Sequence, residues 1–99
     1  MSFRIAFPGR QPIIDKAPAA SLRYGVDVAG LLGEGDSIAS VEIAGSEGVD
    51  ATGATHSGTV VSARISGGTA GEVGSVTLRW STSQGDTDER TLQFNVVAR

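Results

Sequence analysis

The sequence predicts an all-β fold, a sandwich of about seven short antiparallel strands. Apolar and polar residues alternate in several short stretches, and a repeat of two residues is typical of strands that are buried on one face. The 14 glycines and the abundant Ser and Thr residues separate these stretches at roughly the 8–12-residue spacing that marks sandwiches and barrels. No stretch has the apolar period of an amphipathic helix, so we expect a second sheet to cover the first.

Residues 1–20 are predicted to form an N-terminal arm or edge strand with a linker, and residues 21–99 the sandwich domain. Apolar residues alternate at the start of the chain until Pro8 ends the stretch, and residues 15–20 are rich in Pro and Ala like a linker. This segment is either the first strand of the sandwich or an arm that adds to a neighbouring subunit's sheet edge. The arm interpretation gives the candidate interface residues Phe3, Ile5, Phe7, Ile13 and Ile14.

The middle of the chain holds four further predicted strands. Alternation predicts them at residues 22–28, 37–44 and 59–66, with a weaker strand at residues 49–52. The apolar positions change parity after Ile38, which predicts either a β-bulge near Ala39 and Ser40 or burial of this strand on both faces. Small polar residues dominate the rest of residues 45–58, which are therefore predicted to be loops.

The clearest strand pair is a hairpin near the C-terminus that contains the single tryptophan, Trp80. Two alternating strands flank residues 83–89, a short polar stretch in which Gly85 can adopt a positive φ. One face of each strand is apolar, so Trp80 is expected in the core. The complete predicted core is Tyr24, Val26, Ile38, Val61, Ile65, Val76, Leu78, Trp80, Leu92, Phe94 and Val96.

Composition disfavours several classes of function. The net charge of −3 and the pI near 4.9 disfavour a nucleic-acid partner. No apolar run is long enough for a signal peptide or a membrane span, so we expect a protein that is not exported through a classical signal and has no membrane partner. The chain has no cysteine, and its fold must therefore depend on the apolar core or on neighbouring subunits.

Three motifs that resemble catalytic or ligand sites are better explained as ordinary surface features. His56 and Ser57 are adjacent, so their side chains point apart, and no carboxylate motif accompanies them. The acidic run at residues 86–89 lacks the further ligands of a calcium loop, and we expect its acids to pair with Arg79 or Arg90. The glycine-rich stretches precede no helix or lysine that could hold phosphate. We predict no catalytic residue, metal or cofactor, and no enzymatic activity.

Several short motifs resemble a family of small immunoglobulin-like virion proteins of tailed bacteriophages, the fiber-tail adaptor-like proteins. The resemblance covers about residues 20–98. It is carried by Ser66-Gly67-Gly68-Thr69-Ala70-Gly71, by Thr87-Asp88-Glu89-Arg90-Thr91-Leu92, and by Asp36-Ser37-Ile38-Ala39-Ser40-Val41 after a strand with Tyr24, Val26 and Asp27. The resemblance implies an immunoglobulin-like sandwich that serves as a non-enzymatic structural part of a virion.

The function implied by this resemblance is that of an accessory or adaptor subunit. It would dock on tail, neck or capsid proteins of the particle, and copies of the protein would form a homo-oligomer there. The protein would be made in the host cytoplasm and reside in the virion. The alternative is an immunoglobulin-like adhesion or carbohydrate-binding module of a bacterial surface protein, which has the same strand pattern.

Overall fold

The computed structural model describes residues 2–6 and 13–98, and for residues 2–6 it describes the backbone only. Eight strands and one short 3₁₀ helix lie in this part of the chain. The helix spans Ala29–Leu31. The strands are β1 (Ser2–Ala6), β2 (Ile13–Lys16), β3 (Leu22–Asp27), β4 (Ile38–Glu47), β5 (Asp50–Ser57), β6 (Val60–Ser66), β7 (Val73–Thr82) and β8 (Thr87–Val96).

The strands form two sheets of four, which confirms the predicted β-sandwich. Sheet 1 has the order β1-β3-β6-β5 and sheet 2 has the order β2-β8-β7-β4. Most neighbouring strands are antiparallel, but β1 pairs with β3 and β2 pairs with β8 in parallel. The N-terminal segment therefore contributes one edge strand to each sheet, and this accounts for eight strands where about seven are predicted.

The core lies between the inner faces of the two sheets. Tyr24 from sheet 1 and Phe94 from sheet 2 meet edge to face, with ring centroids 5.1 Å apart, in a geometry that aromatic rings favour. Trp80 is 1% exposed. The buried apolar residues include every residue of the predicted core, Tyr24, Val26, Ile38, Val61, Ile65, Val76, Leu78, Trp80, Leu92, Phe94 and Val96, together with Val28, Val49 and Ala63.

The hairpin between β7 and β8 has a tighter turn than the sequence suggests. Strand β8 already begins at Thr87, where Ser81 pairs with it. The amide of Thr82 donates to the carbonyl of Asp86 at 2.8 Å, and the amide of Gly85 donates to the carbonyl of Thr82 at 3.0 Å. Gly85 has φ of 92°, a conformation that glycine adopts without the clash of a Cβ atom.

The prediction that residues 45–58 are mostly loops is wrong. Strand β4 continues to Glu47 alongside β7, and β5 occupies Asp50–Ser57 alongside β6. These parts of both strands are largely exposed, so their side chains are small and polar and carry no alternating apolar pattern. The predicted bulge at Ala39 is confirmed, because Ile38 pairs with Thr82 and Ser40 pairs with Ser81.

Candidate functional site

The candidate interface begins with the two N-terminal strands, which lie at the edges of different sheets. The backbone of β1 pairs with β3 from Ser2 opposite Arg23 to Ala6 opposite Asp27. Phe3 and Ile5 therefore have defined backbone positions on this edge, while Phe7 lies outside the described residues. The structure places β1 at an edge of sheet 1, where a strand has one side on which to pair with another chain.

The two isoleucines of β2 face opposite sides of sheet 2. Ile13 is 68% exposed, whereas Ile14 is partly buried and packs against the core. A single strand alternates its side chains in this way, so only Ile13 is available to a partner while β2 stays in place. The structure thus separates two residues that the sequence groups together.

Ile13 is part of a surface that we call the β8 patch, which consists of Ile13, Val73, Gln93 and Asn95. Ile13 pairs with Gln93 from one side of β8, and Val73 pairs with Asn95 from the other side. Val73 is 61% exposed. Two exposed apolar residues around a pair of amides give the patch the mixed character of a non-obligate protein interface.

Lys16 connects β2 to sheet 1 through a hydrogen bond. The prediction that Lys16 belongs to a linker is wrong. It is the last residue of β2 and is only 1% exposed. Its Nζ donates to the carbonyl oxygens of Ala17 at 2.9 Å and of Gly67 at 2.5 Å, and Gly67 follows the end of β6. The sequence signal for this burial is faint: Lys16 has the same parity as Ile14, so alternation puts both on the inner face.

Burial lowers the pKa of Lys16 below its ordinary value of 10.5, because a desolvated ammonium is less stable than a hydrated one. Between the lowered pKa in the folded protein and 10.5, the unfolded chain binds more protons than the folded one. The free energy of unfolding should therefore rise with pH across this interval. Below this pH interval Lys16 is charged in both states, and the folded protein bears the full free-energy penalty of the buried charge.

Replacement of Lys16 by methionine tests this pH dependence, because methionine fills a similar volume and does not titrate. We expect the free energy of unfolding of the wild type, measured by urea titration, to increase relative to Lys16→Met from pH 8 toward pH 10.5. The comparison cancels the other groups that titrate in this range. If the free energies of unfolding of the two proteins change with pH in parallel, folding does not shift the pKa of Lys16.

Asp36 organises the opposite end of the sandwich, which sequence analysis does not anticipate. Its Oδ1 accepts hydrogen bonds from the amide of Ser37 at 2.8 Å, the hydroxyl of Ser83 at 2.8 Å and the amide of Gln84 at 3.2 Å. Desolvation raises the pKa of Asp36, but the hydrogen bonds that its carboxylate accepts outweigh this effect and lower it overall. The residue fastens the connection before β4 to the β7–β8 turn, which is a structural role.

The acidic run at residues 86–89 is engaged in surface ion pairs, as its sequence predicts. Arg79 Nη2 lies 3.0 Å from Glu89 Oε1, and Arg90 Nη1 lies 3.2 Å from Asp88 Oδ1. Glu42 also approaches Arg79, at 3.6 Å. Each of these pairs is substantially exposed, so each contributes little to stability.

His56 is exposed, but it lies on a strand, where it pairs with Val61, and not in the predicted loop. Across residues 13–98, no group of three or more His, Cys, Asp or Glu side chains is arranged to hold a metal ion. In the same described part, no helix has both the length and the apolar character needed to cross a membrane.

Comparison with known proteins decides the family. The family model described as podophage GP4 fiber-tail adaptor protein gp77 matches residues 16–95, which is most of the chain. The chain belongs to this family. The match begins at the buried Lys16 and ends next to the last residue of β8, so it spans the sandwich from β2 onward. Membership of the fiber-tail adaptor family makes the protein a structural component of a phage particle.

Solved structures that align with this chain come from proteins with little sequence in common with it. The solution structure of Amebosin has a TM-score of 0.60 at 17% identity, and the alignment covers 97% of this chain and 98% of that one. The cysteine protease inhibitor EhICP2 from Entamoeba histolytica has a TM-score of 0.48 at 12% identity, with 99% and 95% covered. The Amebosin likeness shows the fold alone. No curated protein sequence matches the chain significantly.

Proposed function

We propose that this protein is an immunoglobulin-like adaptor subunit of a podophage virion, which docks on tail, neck or capsid proteins and performs no catalysis. The family match over residues 16–95 is the observation that carries this proposal. We propose further that the subunit forms a homo-oligomer within the particle, and that the protein is made in the host cytoplasm before assembly.

The surface of the sandwich supports a docking role. Both N-terminal strands lie at sheet edges, and Ile13 and Val73 are exposed on the β8 patch. Edge strands offer unpaired backbone groups to a partner strand, and an exposed apolar residue beside amides adds contact area. The proposed contacts are therefore the N-terminal residues Phe3, Ile5, Phe7, Ile13 and Ile14, the last of these only if β2 leaves its sheet.

The alternative function, an adhesion or carbohydrate-binding module of a bacterial surface protein, has weaker support. Aromatic platforms are a common means of binding sugars, but Trp80, Tyr24 and Phe94 are all buried in the core. Among the described side chains, these are the aromatic ones. The family membership also favours a phage particle over a bacterial surface.

A deletion of residues 2–12 tests the proposed docking role. This deletion removes β1 but spares Lys16, which is buried, so the remaining seven strands should still fold. We expect the truncated protein to melt cooperatively and to be depleted by about tenfold or more from purified phage particles, as measured by quantitative mass spectrometry. The depletion follows from the loss of the edge strand and its apolar residues.

A full-length control separates the apolar side chains from chain length. Phe3, Ile5 and Phe7 are replaced together by serine in this variant, which keeps the full length of the arm. We expect it to be depleted from particles like the deletion. Incorporation of both variants at the wild-type level would contradict an N-terminal docking role. Unfolding of the truncated protein would show that residues 2–12 are needed for folding.

A further inference from the structure

Two arginines that form no ion pair with any described residue lie side by side on the outer face of sheet 1. Arg23 on β3 pairs directly with Arg64 on β6. Like charges placed opposite each other on antiparallel strands destabilise a sheet. Among the described side chains, neither guanidinium forms an ion pair, although Arg79 and Arg90 both do. This arrangement lowers the stability of the sheet, so a function outside folding is the better explanation for the two arginines.

The local backbone holds both guanidinium groups in place. Arg23 Nη1 donates to the carbonyl of Gly53 at 2.9 Å and to the hydroxyl of Ser62 at 3.2 Å. Arg64 Nη1 donates to the carbonyl of Ser21 at 3.0 Å. Side chains that are already oriented lose less entropy when they bind a partner. The two arginine side chains are therefore preorganised to bind one partner group jointly.

A bulge in β5 positions the Gly53 carbonyl that binds Arg23. The pairing of β5 with β6 is irregular between Thr52 and Thr55, and Gly53 within this bulge has φ of 64°. A Cβ atom at Gly53 would lie 3.1 Å from Arg23 Nη2. Both the positive φ and this close approach favour glycine at the position.

The hydrogen bonds leave one edge of each guanidinium group for a partner. Both arginines use Nη1 for their bonds to the protein, so the Nε and Nη2 edge makes no bond to any described residue. The same edge of Arg79 shows what it binds elsewhere in this protein: Nε and Nη2 both donate to Glu89 Oε1, at 3.2 and 3.0 Å. The same pair of donors can also bind the two oxygens of a carboxylate through parallel hydrogen bonds.

We propose that Arg23 and Arg64 form a docking site for a carboxylate side chain of another virion protein. This inference rests on the proposed adaptor function. Asp50 lies on the outer face of β5 opposite Ser66, two residues along β6 from Arg64. Its negative charge would repel a long polyanion such as DNA, so the charge pattern favours a protein partner that offers a single acidic side chain.

The test compares particle incorporation of three double variants. R23Q/R64Q should be depleted from purified particles by about tenfold or more, because each charge-assisted hydrogen bond contributes strongly to affinity. R79Q/R90Q makes the same change in net charge on sheet 2 and should be incorporated normally. R23K/R64K keeps the charge without the planar fork and should be depleted to an intermediate extent.

Stability measurements separate docking from folding. Arg64→Glu places opposite charges across β3 and β6, so it should raise the Tm slightly and still abolish incorporation. A variant that is more stable than the wild type but does not enter particles supports a docking role. Arg64→Glu or R23Q/R64Q in particles at wild-type amounts would overturn the inference, as would R23K/R64K at wild-type amounts.

Three results distinguish between the ligand class, the adaptor function and the arginine site. Binding of a short DNA duplex by the purified wild type at physiological salt, lost in R23Q/R64Q, would overturn the assignment of a carboxylate. Absence of the wild-type protein from purified particles would refute the adaptor function itself. Presence of the wild type together with normal incorporation of R23Q/R64Q would refute the arginine site and leave the adaptor function standing.

Discussion

Replacement of Trp80 by alanine should leave the protein largely unfolded or insoluble. Trp80 is 1% exposed on the inner face of β7, between Val41 of β4 and Asp88 of β8 in the sheet. Removal of a buried tryptophan side chain costs about 3–5 kcal/mol. The total stability of a small domain is about 5–15 kcal/mol, and this core has no disulfide to support it.

Thermal and guanidinium unfolding, both followed by far-UV circular dichroism, measure this effect. Ser81→Ala is a suitable control because Ser81 follows Trp80 in β7 but lies on the opposite, partly exposed face. The control should change the free energy of unfolding by no more than about 0.5 kcal/mol. A cooperative melt of Trp80→Ala within a few degrees of the wild type would show that Trp80 does not anchor the core.

Replacement of Gly74 by valine should produce the second-largest loss of stability. Gly74 is buried on β7 opposite Phe94, and a Cβ atom there would lie 2.7 Å from Val49 Cγ1 and 3.0 Å from the carbonyl oxygen of Glu47. Val49 thus fills the space that a side chain at Gly74 would need. Overpacking of this kind costs about 1–3 kcal/mol, and each kcal/mol lowers Tm by roughly 4–8 °C in a domain of this size.

A double-mutant cycle identifies the source of the strain. Gly74→Ala and Val49→Ala are measured singly and together, and the double variant should lose less stability than the sum of the single variants. Val49→Ala makes room for the new methyl group at Gly74, while the contact with Glu47 remains. Strictly additive losses would show that Val49 is not the obstacle.

The inner faces of the sandwich could be predicted from the sequence because burial imposes a strict repeat of two. Tyr24, Val61 and Phe94 all follow that repeat and all are buried. The exposed parts of β4 and β5 could not be predicted, because a strand with both faces in water is free to use small polar residues. The exposed parts of β4 and β5 are held in the strand conformation by pairing with β7 and β6, respectively. The local sequence gives no sign of this pairing.

The surface features could be predicted only in part, because they depend on contacts between distant residues. The ion pairs of Arg79 with Glu89 and of Arg90 with Asp88 lie within one hairpin, and the sequence suggests them. The contact of Lys16 with Gly67 and the pairing of Arg23 with Arg64 each join segments about 40–50 residues apart. Such contacts follow from the register of the sheets, which alternation within one strand does not determine.

An electron-microscopy reconstruction of the purified phage particle tests the central claim most directly. The claim predicts density for this sandwich at a defined position in the virion, with its N-terminal strands or the outer face of sheet 1 in contact with another structural protein. Particles that are complete and infectious but contain neither this density nor the protein by mass spectrometry would contradict the adaptor function.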